Sequence, residues 1–270
     1  MKSINKLGLS VQFFLAALLI FAFTQGVWVG LLNLNLKTNP QFPWFFLAMG
    51  LILFALWKYL NGDLWPGNNP TKRRNYLRAR LVPKSTFFWA TMTGVFSIGA
   101  LAGLWIILSQ IFRLPGNITL QNIANVPSIS IIAALIMGAL VSALAEEFAF
   151  RGYLQVTLER NFGGLTAVLV QAILISPLHG VTQGFTWPIL LWYFLADLIF
   201  GTMAYLTDSI LPGIIIHSAG LLFFFTVIWP HAARITAAAP NTLILAITCL
   251  FVLFSILGFV KLRKLHNPVS

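Results

Sequence analysis

Three carboxylates, two histidines and one arginine stand where an apolar sequence has little ordinary use for them: Glu146, Glu147, Asp197, His179, His217 and Arg151. The 270-residue chain holds only six acidic residues. Asp63, Glu159 and Asp208 fall in connecting stretches and need no special account. The other three fall within or at the edge of apolar helices, where an ionisable group is costly unless it is paired or hydrated. In the run Ala-Glu-Glu-Phe-Ala-Phe-Arg-Gly at 145–152, Glu147 and Arg151 are four apart with the acid N-terminal, so they can pair along one helix face. On a regular helix Glu146 is rotated by about 100° from its neighbour and faces elsewhere. One carboxylate is then neutralised while the other is left for proton chemistry. An ion pair closing a helix end accounts for this segment equally well.

The histidines change the weighing. His231 and His266 sit in a loop and in the tail, whereas His179 ends one apolar segment and His217 lies inside another. A single buried histidine is commonly a helix–helix hydrogen bonder. Two of them together with an unpaired glutamate on other helices are harder to assign to packing alone. The polar turn Asn161-Phe162-Gly163-Gly164 lies midway between Glu146 and His179. If helix runs through to the turn and reverses there, an antiparallel hairpin brings Glu146 level with His179. Uninterrupted helix from Pro127 to Arg160 would be about 50 Å long against a hydrocarbon core of ~30 Å, so its later part must bend near Gly152, lie at the interface or leave the membrane. Asp197 has no partner in sequence and joins the candidates.

The elements that position these groups are set by composition. Hydrophobic residues make up 59% of the chain and charged residues 9%, against about 25% charged in soluble domains. Lipid must cover much of the exterior, and an all-α, multi-pass protein of the cell membrane in a single domain, 1–270, is expected. Eight apolar segments are long enough, or nearly so, to cross: Leu7–Leu32, Phe42–Leu60, Phe87–Ile111, Pro127–Phe150, Leu165–Leu178, Pro188–Leu206, Leu211–Trp229 and Thr242–Val260. With both termini cytoplasmic, 14 of the 17 basic residues fall inside, leaving Lys37, Arg113 and Arg234 outside. The net charge of +11 is therefore a topology signal rather than a nucleic-acid footprint. Its densest cluster, Lys72, Arg73, Arg74, Arg78, Arg80 and Lys84, occupies a loop and not one face of an element. Trp44, Trp57, Trp65, Trp187 and Trp229 suit interfacial belts. The only cysteine, Cys249, excludes an internal disulfide.

Glu146-Glu147-x-x-x-Arg151, Ile175-x-x-x-His179, and the run Gly201–Ile210 leading into His217 resemble, in order and spacing, the three motifs of the CAAX protease and bacteriocin-processing (Abi) family of intramembrane endopeptidases. The resemblance spans 145–221. It implies that Glu146 activates water, and that His179 and His217 bind a metal or position the water and the oxyanion. Glu147 and Arg151 would orient the helix end. The cofactor would be Zn²⁺ or another divalent ion held by Glu146, His179 and His217, or none. Membrane lipid and a peptide or membrane-protein substrate would be the partners. Two positions depart from the pattern. Ile175 replaces the usual Phe, a packing change. Leu221 stands four residues after His217, where the family carries Asn or Asp, and an aliphatic side chain offers no hydrogen bond. Losing one oxyanion donor costs about 10²–10³ in rate, and Asp197 could substitute if it faces inward. Leu221 equally suits a non-catalytic scaffold or immunity-type relative that binds a peptide in the same cavity. A proton-coupled transporter would use the same groups as a relay, but the sequence lacks the repeat symmetry of that class.

Overall fold

Where lipid replaces water, every backbone N–H and C=O must be satisfied within the chain, and helices do this segment by segment. The computed structural model describes residues 2–61, 63–64, 70–114, 126–239 and 241–266, and among these there is no strand. Its α-helices are α1 (Lys2–Thr38), α2 (Trp44–Leu60), α3 (Pro70–Tyr76), α4 (Lys84–Phe112), α5 (Ser128–Glu146), α6 (Gln155–Phe162), α7 (Gly164–Gln183), α8 (Trp187–Thr207), α9 (Leu211–Phe223), α10 (Ala232–Ala237) and α11 (Thr242–Leu265). All eight expected apolar segments are helical. Seven helical paths are long and apolar enough to cross a membrane, and the eighth, α2, has 17 residues. The protein is a polytopic membrane protein.

The hairpin expected around residues 161–164 is present. α6 ends at Phe162, Gly163 takes φ +86°, and α7 starts at the next residue. That backbone geometry favours glycine, because a Cβ would crowd the following carbonyl. The long path from Ser128 to Phe162 is not regular throughout: a π-helix over Glu147–Leu154 separates α5 from α6. Here Gly152 is required by proximity, since a Cβ would stand 2.6 Å from the backbone oxygen of Leu77. The fifth apolar segment extends further than its apolar run suggests, with Pro177 inside α7.

α1 lies against α5, α6 and the π segment, burying Ala17 with Phe150, Leu154 and Ile175. α11 lies along α4, where the Ser97 and Ser255 hydroxyls meet at 2.7 Å in the interface and Phe96 stacks on Phe254. Hydroxyl pairs of this kind hold helices together where apolar burial cannot discriminate protein from lipid. Among the tryptophans expected at the interface, Trp57 and Trp187 are exposed, Trp44 and Trp229 are half-buried, and Trp65 lies outside the described residues. The side chains of Lys2, Lys6, Lys72 and Arg73 also lie outside them.

Two members of the basic cluster do more than mark a side of the membrane. Arg78 is buried, with Nη1 donating to Glu159 Oε1 at 2.9 Å and Nε to Asp208 Oδ1 at 3.1 Å, and Arg80 pairs with Asp208. Ile210 N–H donates to Arg78 O, Ser209 Oγ to Arg80 O, and Gln155 Nε2 to Glu159 Oε1. Glu159 and Asp208 thus fasten the segment before α4 to α6 and to the α8–α9 turn. They do need an account after all.

The charge distribution makes a direct topological prediction. Reporter fusions at Arg74 and at the C-terminal tail should report one side of the membrane and fusions at His231 the other. Arg74 and His231 on the same side would contradict eight crossings.

Candidate active site

The six candidate groups reach the same place from five helical segments. Glu146 closes α5, Glu147 and Arg151 lie on the π segment, His179 is near the end of α7, Asp197 is in the middle of α8, and His217 is on α9. The hairpin brings Glu146 level with His179 as expected. Glu146, His179 and Asp197 each present a ligating atom, and these atoms lie within 4.8 Å of one another. Together with Arg151 and His217 they line one cavity of about 350 Å³.

Arg151 is fully buried and sits at the centre of the acids. Its Nη2 donates to Asp197 Oδ1 at 2.5 Å, and its Nη1 lies 3.5 Å from Glu146 and 3.8 Å from Glu147. The Glu147–Arg151 pair therefore exists, but the separation of the two glutamates does not. Sequence spacing on an α-helix turns Glu146 away, whereas the π segment widens the turn to an i→i+5 repeat. Arg151, five residues after Glu146 and four after Glu147, then reaches both. The guanidinium's shortest contact is to Asp197, so loss of Glu147 would not leave it unpaired.

His217 bridges the two glutamates. Its Nδ1 lies 3.1 Å from Glu147 Oε1 and its Nε2 3.7 Å from Glu146 Oε2. A hydrogen bond to an ionised Glu147 places the proton on Nδ1 and leaves Nε2 turned toward Glu146. The ring also stacks on Phe200, centroid to centroid 4.4 Å. From α7, Gln171 Nε2 donates to the backbone carbonyl of Asp197 on α8 at 2.9 Å. Glu147 thus has a second task that spacing alone did not suggest, the orientation of His217.

The donor set for a divalent ion differs from the expected Glu146, His179 and His217. Asp197 takes the place of His217 in the convergent group, because His217 is drawn toward Glu147. These groups fit such an ion on two grounds. Three carboxylates surround one guanidinium, so two surplus negative charges remain when all are ionised. In addition, Asp197 Oδ2 is a buried oxygen with no hydrogen-bond partner among the described residues. One nitrogen and two carboxylate oxygens suit Zn²⁺ or a harder divalent cation.

Asp197 faces inward, and Leu221 does line the cavity, one turn beyond His217. Ile175 is almost wholly buried between α1 and the π segment and also borders the cavity, in keeping with a packing change. His231 is exposed, and His266 Nδ1 is 3.0 Å from the Leu206 carbonyl oxygen, both away from the site. Sequence reasoning overlooked Tyr193, whose ring lies flat on His179 with centroids 3.9 Å apart and planes 5° from parallel. The available signal was its position one turn before Asp197 on the same helix face.

No curated protein and no solved structure matches the chain. Residues 128–223, which contain all three motifs, match the family model described as type II CAAX prenyl endopeptidase Rce1-like, within the CAAX protease family that those motifs resemble.

Proposed function

We propose that the chain is an intramembrane endopeptidase of the cell membrane that hydrolyses a peptide bond in a membrane-associated substrate, with 145–221 as its catalytic core. The observation that carries this reading is the convergence of Glu146, His179 and Asp197 within 4.8 Å, in a cavity otherwise walled by side chains such as Phe21, Leu101, Phe223 and Phe224. Apolar walls suit a substrate that arrives through lipid, and they strengthen every electrostatic interaction inside.

In the proposed reaction Glu146 removes a proton from water as the water oxygen attacks the scissile carbonyl. It later delivers that proton to the departing amine when the C–N bond breaks, leaving a carboxylate and an amine. His217, fixed by Glu147, keeps Glu146 in register, and His179 faces the developing charge. Arg151 holds the three carboxylates in a single arrangement. A divalent ion bound by Glu146, His179 and Asp197 would supply Lewis-acid polarisation of the carbonyl.

A quenched-fluorescent peptide library, including farnesylated peptides ending in a CAAX sequence, tests the reading on purified protein in detergent and in liposomes. Cleavage of at least one class is the expected result. Loss on chelation and recovery on adding Zn²⁺ would mark a metalloprotease, and indifference to chelator a glutamate protease. No cleavage anywhere in the library, with Glu146→Gln retaining full function in the cell, would support the peptide-binding relative that Leu221 suggests.

A further inference from the structure

A tetrahedral intermediate needs a hydrogen-bond donor aimed at its oxygen, and Leu221 cannot provide one. The other polar groups bordering the cavity divide unequally. Arg151 Nη2 is committed to Asp197 and its Nη1 is turned to Glu146 and Glu147 at 3.5 and 3.8 Å, His217 Nδ1 faces Glu147, and Gln25 Nε2 donates to Ser142 Oγ at 3.1 Å on the α1–α5 side. Asp197 faces inward, but its Oδ1 accepts from Arg151, and an ionised carboxylate donates nothing. Tyr193 differs. It shares the cavity face of α8 with Ala196, Asp197 and Phe200, at the i, i+3, i+4, i+7 spacing of a single helix face. Its ring is fixed by the parallel stack on His179 and by the edge of Trp192, whose Nε1 is tied to the Leu101 carbonyl at 2.7 Å. Among the described residues no group hydrogen-bonds its hydroxyl.

Resting on the endopeptidase reading, we propose that the Tyr193 hydroxyl is an oxyanion donor of this site beside His179, taking over the task that a polar residue at position 221 would perform. The hydroxyl donates one hydrogen bond to the former carbonyl oxygen and keeps its proton. Its stack on His179 fixes it before substrate arrives, and a preorganised donor of this kind needs no rearrangement during reaction. The arrangement also explains how an aliphatic Leu221 is tolerated beside His217. Leu221 and Tyr193 border the same cavity from α9 and α8, so either position can present a donor to it.

The test separates ring from hydroxyl. Tyr193→Phe keeps the stack and removes the donor, and it should lower kcat about 10²–10³-fold with little change in KM. Adding Leu221→Asn to Tyr193→Phe should recover at least about tenfold of that loss, within the one-donor range. A Tyr193→Phe enzyme as fast as wild type, with only Tyr193→Leu slowed, would overturn the proposal and leave Tyr193 as packing for His179. A second arm does not depend on turnover. A phosphinic peptide carries an anionic oxygen where the tetrahedral intermediate does, and Tyr193→Phe should bind it about tenfold more weakly while binding the parent peptide unchanged. Equal affinity of wild type and Tyr193→Phe for the phosphinic peptide sinks the donor role. Absence of cleavage by wild type would instead count against the endopeptidase reading, and the binding arm alone would then decide on Tyr193.

Discussion

Glu146→Gln is expected to lower kcat by about 10²–10⁴, the range that a positioned general base supplies. The substitution keeps the shape of the side chain and removes its basicity. The fold should survive, because the buried group carries one guanidinium among three carboxylates. Neutralising one acid reduces an existing surplus of negative charge, and Asp197 still holds Arg151 at 2.5 Å. Thermal unfolding in detergent should therefore place Glu146→Gln at or slightly above wild type while the peptide assay places it far below. Turnover within tenfold of wild type would remove Glu146 from the proposed mechanism.

Arg151→Met should have the largest effect on stability, about 3–5 kcal/mol, the cost typical of stripping the partner from a buried ion pair. Arg151 is wholly buried and touches Glu146, Glu147 and Asp197 from one position. Without it two adjacent glutamates and an aspartate from α8 face one another without the guanidinium between them. A fall in melting temperature and in membrane yield is expected, larger than that of Glu147→Gln, which leaves the Asp197 contact intact. An Arg151→Met protein as stable as wild type would mean that the acids are held neutral and that the guanidinium contributes little.

The legible and illegible parts of this protein divide along a physical line. Eight apolar stretches announce eight helices because burial in lipid demands continuous hydrophobic runs. The hairpin was legible too: a glycine pair placed midway between Glu146 and His179 leaves few other ways to reverse the chain. The π segment was not, since eight residues carry too short a period to distinguish i→i+5 from i→i+4 spacing. From that single irregularity comes the main difference at the site, the sharing of Arg151 by both glutamates. Asp197 was visible as an acid out of place, yet its role as the closest partner of Arg151 depends on how α8 is rotated against the π segment, which no local pattern records. Tyr193 was hidden more completely. An aromatic residue in an apolar helix is the expected filling, and only the parallel ring of His179 sets it apart.

The fastening built on Arg78 has a consequence for how the chain is made. Arg78 precedes its partners Glu159 and Asp208 by 81 and 130 residues. A chain that enters the membrane as it is synthesised must keep that guanidinium in water until α6 brings Glu159, and its second partner waits for α8 to be completed. Only when the α8–α9 turn emerges can Asp208 meet it and Ile210 close onto the Arg78 carbonyl. The ion pairs at the cavity close in the same order: Arg151 meets its own helix first, Asp197 arrives 46 residues later, and His217 reaches Glu147 across 70. A nascent chain truncated before the α8–α9 turn therefore lacks both the complete seal and the complete set of reacting groups. On the proposed reading, the newborn protein has no cutting machinery while its own unfinished helices lie beside it.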